Sequence, residues 1–132
     1  MRLFADTSFY VAIVSPKDVS HTTVMDIIKQ YKGRIITTEY VLVEVGNWLA
    51  SSGDRGAFIK LNQQIKSDPK TLVVPAESAL YDAGVNLYAH RPDKEWSLTD
   101  CISFAVMRQF GLMNALTADH HFQQAGFTSM LR

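Results

Sequence analysis

Apolar positions along the chain change rhythm several times, and each change marks an element. Arg2 to Ala5 is a short apolar run that reads as a strand. Phe9 to Val14 is apolar without alternation and is stopped by Ser15-Pro16, as expected of a short helix packed on both sides. A helical rhythm follows, with Val24, Ile27, Ile28 and Tyr31 as its buried stripe, Ser20 as cap and Gly33 as stop. Ile35-Ile36-Thr37 is a short β-branched strand. Thr38 opens a helix to about Ser51 whose inward side carries Val41, Val45, Trp48 and Leu49. Asp54 starts another, with Phe58, Leu61 and Ile65 as its stripe, closed before Pro69. Thr71 to Val74 is a third strand. Leu80, Ala83, Gly84, Leu87 and Tyr88 set the apolar face of the next helix, and Ser97 begins one that runs to Phe110 with Gly111 behind it. Ala115-Leu116-Thr117 is a strand, His120 to Gln124 a short helix, and Phe127 to Leu131 a last strand.

Strands thus alternate with helices, and no hairpin signal occurs. The pattern predicts an α/β fold with a central, mostly parallel sheet flanked by helices, in one domain spanning residues 1–132. In such sheets ligands bind beyond the carboxyl ends of the strands. Composition narrows the class. With 47% hydrophobic and 20% charged residues the chain is not disordered. Thirteen basic against thirteen acidic residues exclude a highly basic nucleic-acid-coating protein, but not a local basic patch. The longest apolar run is too short for a membrane span, and the acid at Asp6 comes too early for a secretory signal, so a cytoplasmic protein is expected. Cys101 is the only cysteine, which excludes a disulfide framework and a cysteine-based zinc site within one chain; it is expected to be inert core.

Four acids stand where packing alone would not put them. Asp6 directly follows the first strand, and Asp119 follows Ala115-Leu116-Thr117-Ala118, so both belong at the carboxyl edge of the sheet. Each also reads as the N-cap of the helix behind it. Glu44 lies mid-helix between Val41 and Trp48, at an edge that reaches solvent or a site. Asp100 completes the capping box Ser97-Leu98-Thr99-Asp100 ahead of a helix that is apolar nearly all round. Glu39 is weaker, since a carboxylate in a first helical turn simply complements the helix dipole. Four converging carboxylates repel unless a cation stands among them, and oxygen-only ligands favour Mg²⁺ or Mn²⁺ over zinc. Such an ion suits phosphoryl chemistry: it lowers a water's pKa and stabilises charge on the phosphate.

Taken together, Phe4-Ala5-Asp6-Thr7-Ser8, Glu44 in the helix after the second strand, Ser97-Leu98-Thr99-Asp100-Cys101-Ile102-Ser103-Phe104 and Thr117-Ala118-Asp119-His120-His121-Phe122 resemble the motifs of PIN-domain ribonucleases. They resemble in particular the toxin components of VapBC-type toxin–antitoxin pairs, and the resemblance covers essentially the whole chain. The resemblance implies a three-layer α/β/α sandwich and a Mg²⁺- or Mn²⁺-dependent endoribonuclease acting on single-stranded or looped RNA. It assigns Asp6, Glu44, Asp100 and Asp119 as catalytic, metal-holding acids, with Asp119 at the family's most variable acidic position. Thr7 and Thr117 would orient a carboxylate or a water, and Ser97 would hold Asp100. Water would attack phosphorus in line, with Glu44 completing the ligand set or taking the proton, leaving a 5′-phosphate and a 3′-hydroxyl. A cognate antitoxin that inserts an arginine among the acids is implied, as is a homodimer, and the apolar stripes near Glu44 and Asp54 offer a groove for either partner.

Candidate phosphate contacts are Lys17, Arg91, Lys94 and Arg108, with Lys29, Lys32 and Arg34 as a second cluster. Trp96, beside the capping box, reads either as core or as a platform for an unpaired base. The histidines are not expected to form a metal set: His21 and His90 stand alone, and the neighbours His120 and His121 should point apart, with His120 the one nearer the phosphate. Rival readings fit less well. A haloacid-dehalogenase-type phosphatase needs an acid two positions after Asp6, where Ser8 stands. A receiver domain needs an aspartate after the third strand, where Pro75-Ala76-Glu77 follows. An RNA-processing nuclease of the same fold, or a nuclease-like binding module without activity, remain as alternatives; the intact acidic set argues against the second.

Overall fold

The computed structural model describes residues 1–132. Its elements in chain order are β1 (Arg2–Ala5), α1 (Thr7–Val14), α2 (His21–Gln30), β2 (Arg34–Thr38), α3 (Glu39–Ser51), α4 (Arg55–Ser67), β3 (Thr71–Val74), α5 (Ser78–His90), α6 (Leu98–Gln109), β4 (Asn114–Leu116), α7 (His120–Gln124) and β5 (Thr128–Ser129). Every strand and helix anticipated from the pattern is present. The last strand shrinks to two residues, because Phe127 and Leu131 turn into the core instead of extending the ladder.

The five strands form one parallel sheet in the order β3-β2-β1-β4-β5. From β1 the chain moves outward through β2 to β3, then crosses back over the sheet to β4 and outward again to β5. With right-handed crossovers that reversal puts helices on both faces, giving the three-layer α/β/α arrangement. It also creates a switch point between β1 and β4, where successive connections leave the sheet in opposite directions and a crevice opens at the carboxyl edge.

The central strands are buried on both faces, which is why they read as continuous apolar runs without alternation: Leu3, Phe4 and Ala5 of β1 and Ala115 and Leu116 of β4 are all buried. Around them Phe104 of α6 packs edge-on against Trp96 and Phe122, at centroid distances of 5.1 and 4.9 Å. Helix α6 is buried nearly all round, as its sequence requires. Three helix faces differ from expectation. Ile28, Trp48 and Tyr88 remain 42%, 43% and 55% exposed. In α3 the inward stripe is Val41, Leu42, Val45 and Leu49, which turns Trp48 to the edge.

Helices α5 and α6 approach closely at Gly84, where a methyl group would overlap the Ile102 side chain and stand 3.1 Å from Ile102 Cα. Gly84→Ala should therefore destabilise the fold: overpacking costs about 1–3 kcal/mol, more than the roughly 1 kcal/mol gained in helix propensity. A lowered urea midpoint with unchanged m-value is the expected result.

Candidate active site

The first acid is placed by strand register. Phe4 pairs with Ala115 and Ala5 with Leu116, and the Asp6 backbone N–H continues the ladder to the Leu116 carbonyl at 3.2 Å. The next residues beyond the two strands, Asp6 and Thr117, are therefore neighbours. The Thr117 hydroxyl donates to Asp6 Oδ2 at 2.8 Å and accepts the Asp119 backbone N–H at 3.0 Å. Ser8 Oγ lies 3.3 Å from the same hydroxyl and accepts the Ala118 N–H at 3.0 Å. Asp6 does not cap α1 with its side chain; the carboxylate is turned into the crevice instead.

Of the other three acids, Asp100 and Asp119 are held at helix starts, and Glu44 is carried on a helix that a cap positions. Thr38 ends β2 and caps α3 by accepting the Val41 N–H at 3.0 Å, so α3 leaves the sheet edge directly and carries Glu44 back over it. The Thr7 hydroxyl donates to Glu44 Oε1. Asp100 and Ser97 form a reciprocal capping box: Ser97 Oγ accepts the Asp100 N–H at 3.0 Å and Asp100 Oδ2 accepts the Ser97 N–H at 3.1 Å. Asp119 caps α7 by accepting the His121 N–H at 2.9 Å. Capping and convergence coexist in Asp100 and Asp119, because each cap fixes the carboxylate's direction.

All four acids line one open cleft of about 410 Å³. Asp18 and Glu95 join them, and no lysine or arginine does. Burial pushes the Asp6 carboxyl up from its ordinary value to about 7; the Thr117 hydroxyl and the Thr7 backbone N–H oppose the shift, and the charges of Asp100 and Glu44 add to it. Asp100 is raised as well, chiefly by burial, with the Asp119 charge adding and the Ser97 N–H and His121 opposing. A set of carboxylates, two buried and two partly exposed, without a lysine or arginine among them is the donor chemistry of a hard divalent cation. Asp6, Glu44, Asp100 and Asp119 thus fit such an ion. His121 adds nitrogen: its Nδ1 lies 3.1 Å from Asp100 Oδ2 and 3.3 Å from Asp119 Oδ1.

Several anticipated contacts fall elsewhere. Trp96 is core, 4% exposed. Its indole N–H donates to Gln124 Oε1 at 2.9 Å, and the Arg91 guanidinium lies 5.0 Å from the ring centroid, so no face is left for a base. Arg108 stands in the last turn of α6, two turns beyond Asp100 and away from the cleft. Lys29, Lys32 and Arg34 lie at the amino edge of the sheet, opposite the acids. Arg91 and Lys94 line a recess that shares Glu95 and Ser97 with the cleft, and Arg91 is already paired with Asp93 at 3.0 Å. Lys17 lines a smaller recess that shares Trp48 with the cleft. Glu39 points away: it accepts the Ala76 N–H at 2.7 Å. The two histidines do not point apart. Their ring centroids are 4.4 Å apart, and with Asp119 their ligating atoms fall within 4.8 Å of one another. Both reach Asp119, His120 through Nδ1 at 3.7 Å, but His121 also reaches Asp100 and lines the cleft, through the tight cap that returns Asp119 to its N–H. Sequence reasoning missed Ser8, Asp18, Trp48, Glu95 and His121 in the cleft. An Asp followed two positions on by a histidine in the first turn was the available signal for His121.

Comparison with known proteins gives this geometry a setting. The family model described as PIN domain matches residues 3–128. The 23S rRNA-specific endonuclease VapC20, from two strains of Mycobacterium tuberculosis, is 29% identical over 129 residues, 97% of this chain and 97% of the relative. The crystal structure of Mycobacterium tuberculosis VapC20, described as a Sarcin-Ricin loop cleaving toxin, superposes with a TM-score of 0.89 at 26% identity, covering 97% of this chain and 98% of that one. FitAcB from Neisseria gonorrhoeae shares the fold, with a TM-score of 0.69 at 14% identity over 98% of this chain and 95% of that one. So does VapBC2 from Rickettsia felis, at 0.68 and 11% over 98% and 97%. The chain belongs to the PIN-domain family.

Two outcomes follow from the site's construction. Trp96→Ala should cost about 3–5 kcal/mol of stability, the loss typical of a buried aromatic, read in a denaturant titration. Asp6 carries a pH dependence. Between about pH 4 and 7 the folded chain keeps a proton that the unfolded chain has released, so stability without divalent ions falls as pH rises through that window. The slope for one group is at most about 1.4 kcal/mol per pH unit. Asp6→Asn should remove that slope, leaving the variant more stable than the parent near pH 7 and similar near pH 4. Melting curves in EDTA across pH 4–8 test this.

Proposed function

From its place among PIN domains, we propose that residues 1–132 act as a single divalent-metal-dependent endoribonuclease domain, the toxin of a toxin–antitoxin pair that inhibits translation by cutting RNA. The observation that carries the reading is the convergence of Asp6, Glu44, Asp100 and Asp119 in one cleft without a lysine or arginine. Similarity to VapC20 along nearly the full length of both chains supports it and makes 23S rRNA the substrate to try first. Mg²⁺ or Mn²⁺ is the proposed cofactor, held by these acids. When bound, the ion supplies Lewis-acid stabilisation of charge at the scissile phosphate and eases deprotonation of the attacking water.

The chain's own residues do the rest. Thr117 holds Asp6 through Oδ2, and the Ser97 cap holds Asp100, so the charged edge is set before substrate arrives. Thr7 occupies Glu44 Oε1, which leaves Oε2 either to complete the ligand set or to accept the proton of the attacking water. His121 bridges Asp100 and Asp119 and keeps them together. Lys17, Arg91 and Lys94, in recesses adjoining the cleft, supply the positive charge that the acids lack.

The partner assignments are part of the same proposal. Between α3 and α4 runs a groove of about 590 Å³ lined by Leu42, Val43, Phe58 and Ile59. Val43 and Ile59 are 60% and 57% exposed. Apolar exposure of that extent suits a helix of an antitoxin or of a second copy of the chain.

Purified protein should cut RNA with Mg²⁺ or Mn²⁺ and not with EDTA, and Asp100→Asn should lower the rate by at least about a hundredfold while remaining folded. Mass spectrometry of the products should find 5′-phosphate and 3′-hydroxyl ends. A 2′,3′-cyclic phosphate would mean attack by the 2′-hydroxyl and would overturn the water mechanism.

A further inference from the structure

We propose that Trp48 is the platform on which an unpaired base of the substrate stacks, with Lys17 beside it for the adjoining phosphate. The inference rests on the nuclease reading and names a subsite that this reading leaves open. Trp48 follows Glu44 by four residues on α3, so it lies one turn further along the same helix edge. It is the only indole or phenyl ring lining the acidic cleft. It also lines the adjoining recess of about 270 Å³, whose walls include Val14, Pro16, Leu49 and Lys17. One ring therefore spans the boundary between the reacting edge and a recess that carries apolar walls, two serines, one lysine (Lys17) and one acid (Asp54).

The electrostatics of the cleft favour this kind of anchor. Asp6, Asp18, Glu44, Glu95, Asp100 and Asp119 all line the cleft, and phosphates gain nothing from them directly. A base carries no charge, and stacking on an aromatic face is indifferent to nearby carboxylates. Trp48 offers that face: it is 43% exposed, whereas the chain's other tryptophan, Trp96, is buried and hydrogen-bonded. Exposed Val43 and Ile59 lie in the groove between α3 and α4, outside the cleft, so the exposure of Trp48 belongs to the cleft and its recess. A base inside a duplex has both faces covered, so only an unpaired or extruded base fits.

The test uses two probes, a short single-stranded RNA and a ribose–phosphate oligomer of equal length without bases, bound to Asp100→Asn protein so that the RNA stays intact. The parent should prefer the RNA, and RNA should quench its tryptophan fluorescence. Trp48→Ala should weaken RNA binding about tenfold, leave the abasic oligomer unaffected and abolish the quenching; Trp48→Phe should keep most of the preference. Melting curves check that both variants fold, as expected for an exposed side chain. If Trp48→Ala keeps the parent's preference for bases, or if neither probe distinguishes base from backbone, the stacking proposal fails. If Trp48→Ala instead dissolves a dimer while RNA binding is unchanged, the ring serves a second copy and the proposal is likewise overturned. Metal-dependent cleavage by the unaltered chain is scored separately, so failure of the nuclease reading is distinguishable from failure of the platform.

Discussion

Carboxylates gathered without a counter-charge repel one another, and in this chain the sheet holds them together. The Thr117 hydroxyl is the hinge of that arrangement: it donates to Asp6 and accepts from the backbone of Asp119, linking the ends of two adjacent parallel strands. The bond exists because β1 and β4 are neighbours in register, although 111 residues separate the two partners. Remove the adjacency and Asp6 has neither its hydroxyl nor its burial. Burial is the main cause of the upward shift of the Asp6 carboxyl, and the charges of Asp100 and Glu44 add to it.

The helix caps solve the same problem with local means. Asp100 and Asp119 bond backbone N–H groups at the starts of α6 and α7; the N-cap bond of Asp119 is worth about 0.5–2 kcal/mol in ordinary helices. That gain offsets part of the repulsion and aims both side chains into the cleft. Glu44, which caps nothing, depends on the Thr7 hydroxyl and on the abrupt β2-to-α3 junction. All four acids are thus tied to structural hydrogen bonds that would persist without substrate. A nuclease built this way has its charged edge preorganised, and binding need not assemble it.

The element pattern and the four principal acids were legible in the sequence because both have local causes. Periodicity encodes burial, Ser97-Leu98-Thr99-Asp100 encodes a cap, and an acid straight after a buried strand is anomalous wherever that strand lies. The aromatic and basic contacts were less legible. Trp96 and Trp48 look alike in sequence, each beside a candidate acid; their opposite fates depend on Phe104, Gln124 and Arg91 closing around one ring and on a rotation of α3 that leaves the other at the edge. Arg108 shares a helix with Asp100 but stands at its far end, and the separation of His120 and His121 was misjudged because a capped turn does not splay neighbouring side chains as a long helix does.

Strand and helix order, the parallel α/β class and the presence of acids at the carboxyl edge were determined by the sequence alone, since each follows from short-range alternation, capping and the rule that buried strands carry apolar runs. Which acids meet, which hydroxyls hold them and which tryptophan faces the cleft were settled only by the tertiary structure. Those outcomes turn on the strand order β3-β2-β1-β4-β5 and on the rotation of each helix against its neighbours. Contacts between residues a hundred positions apart leave no trace in local periodicity, because their energy depends on distances that exist only after the chain has folded.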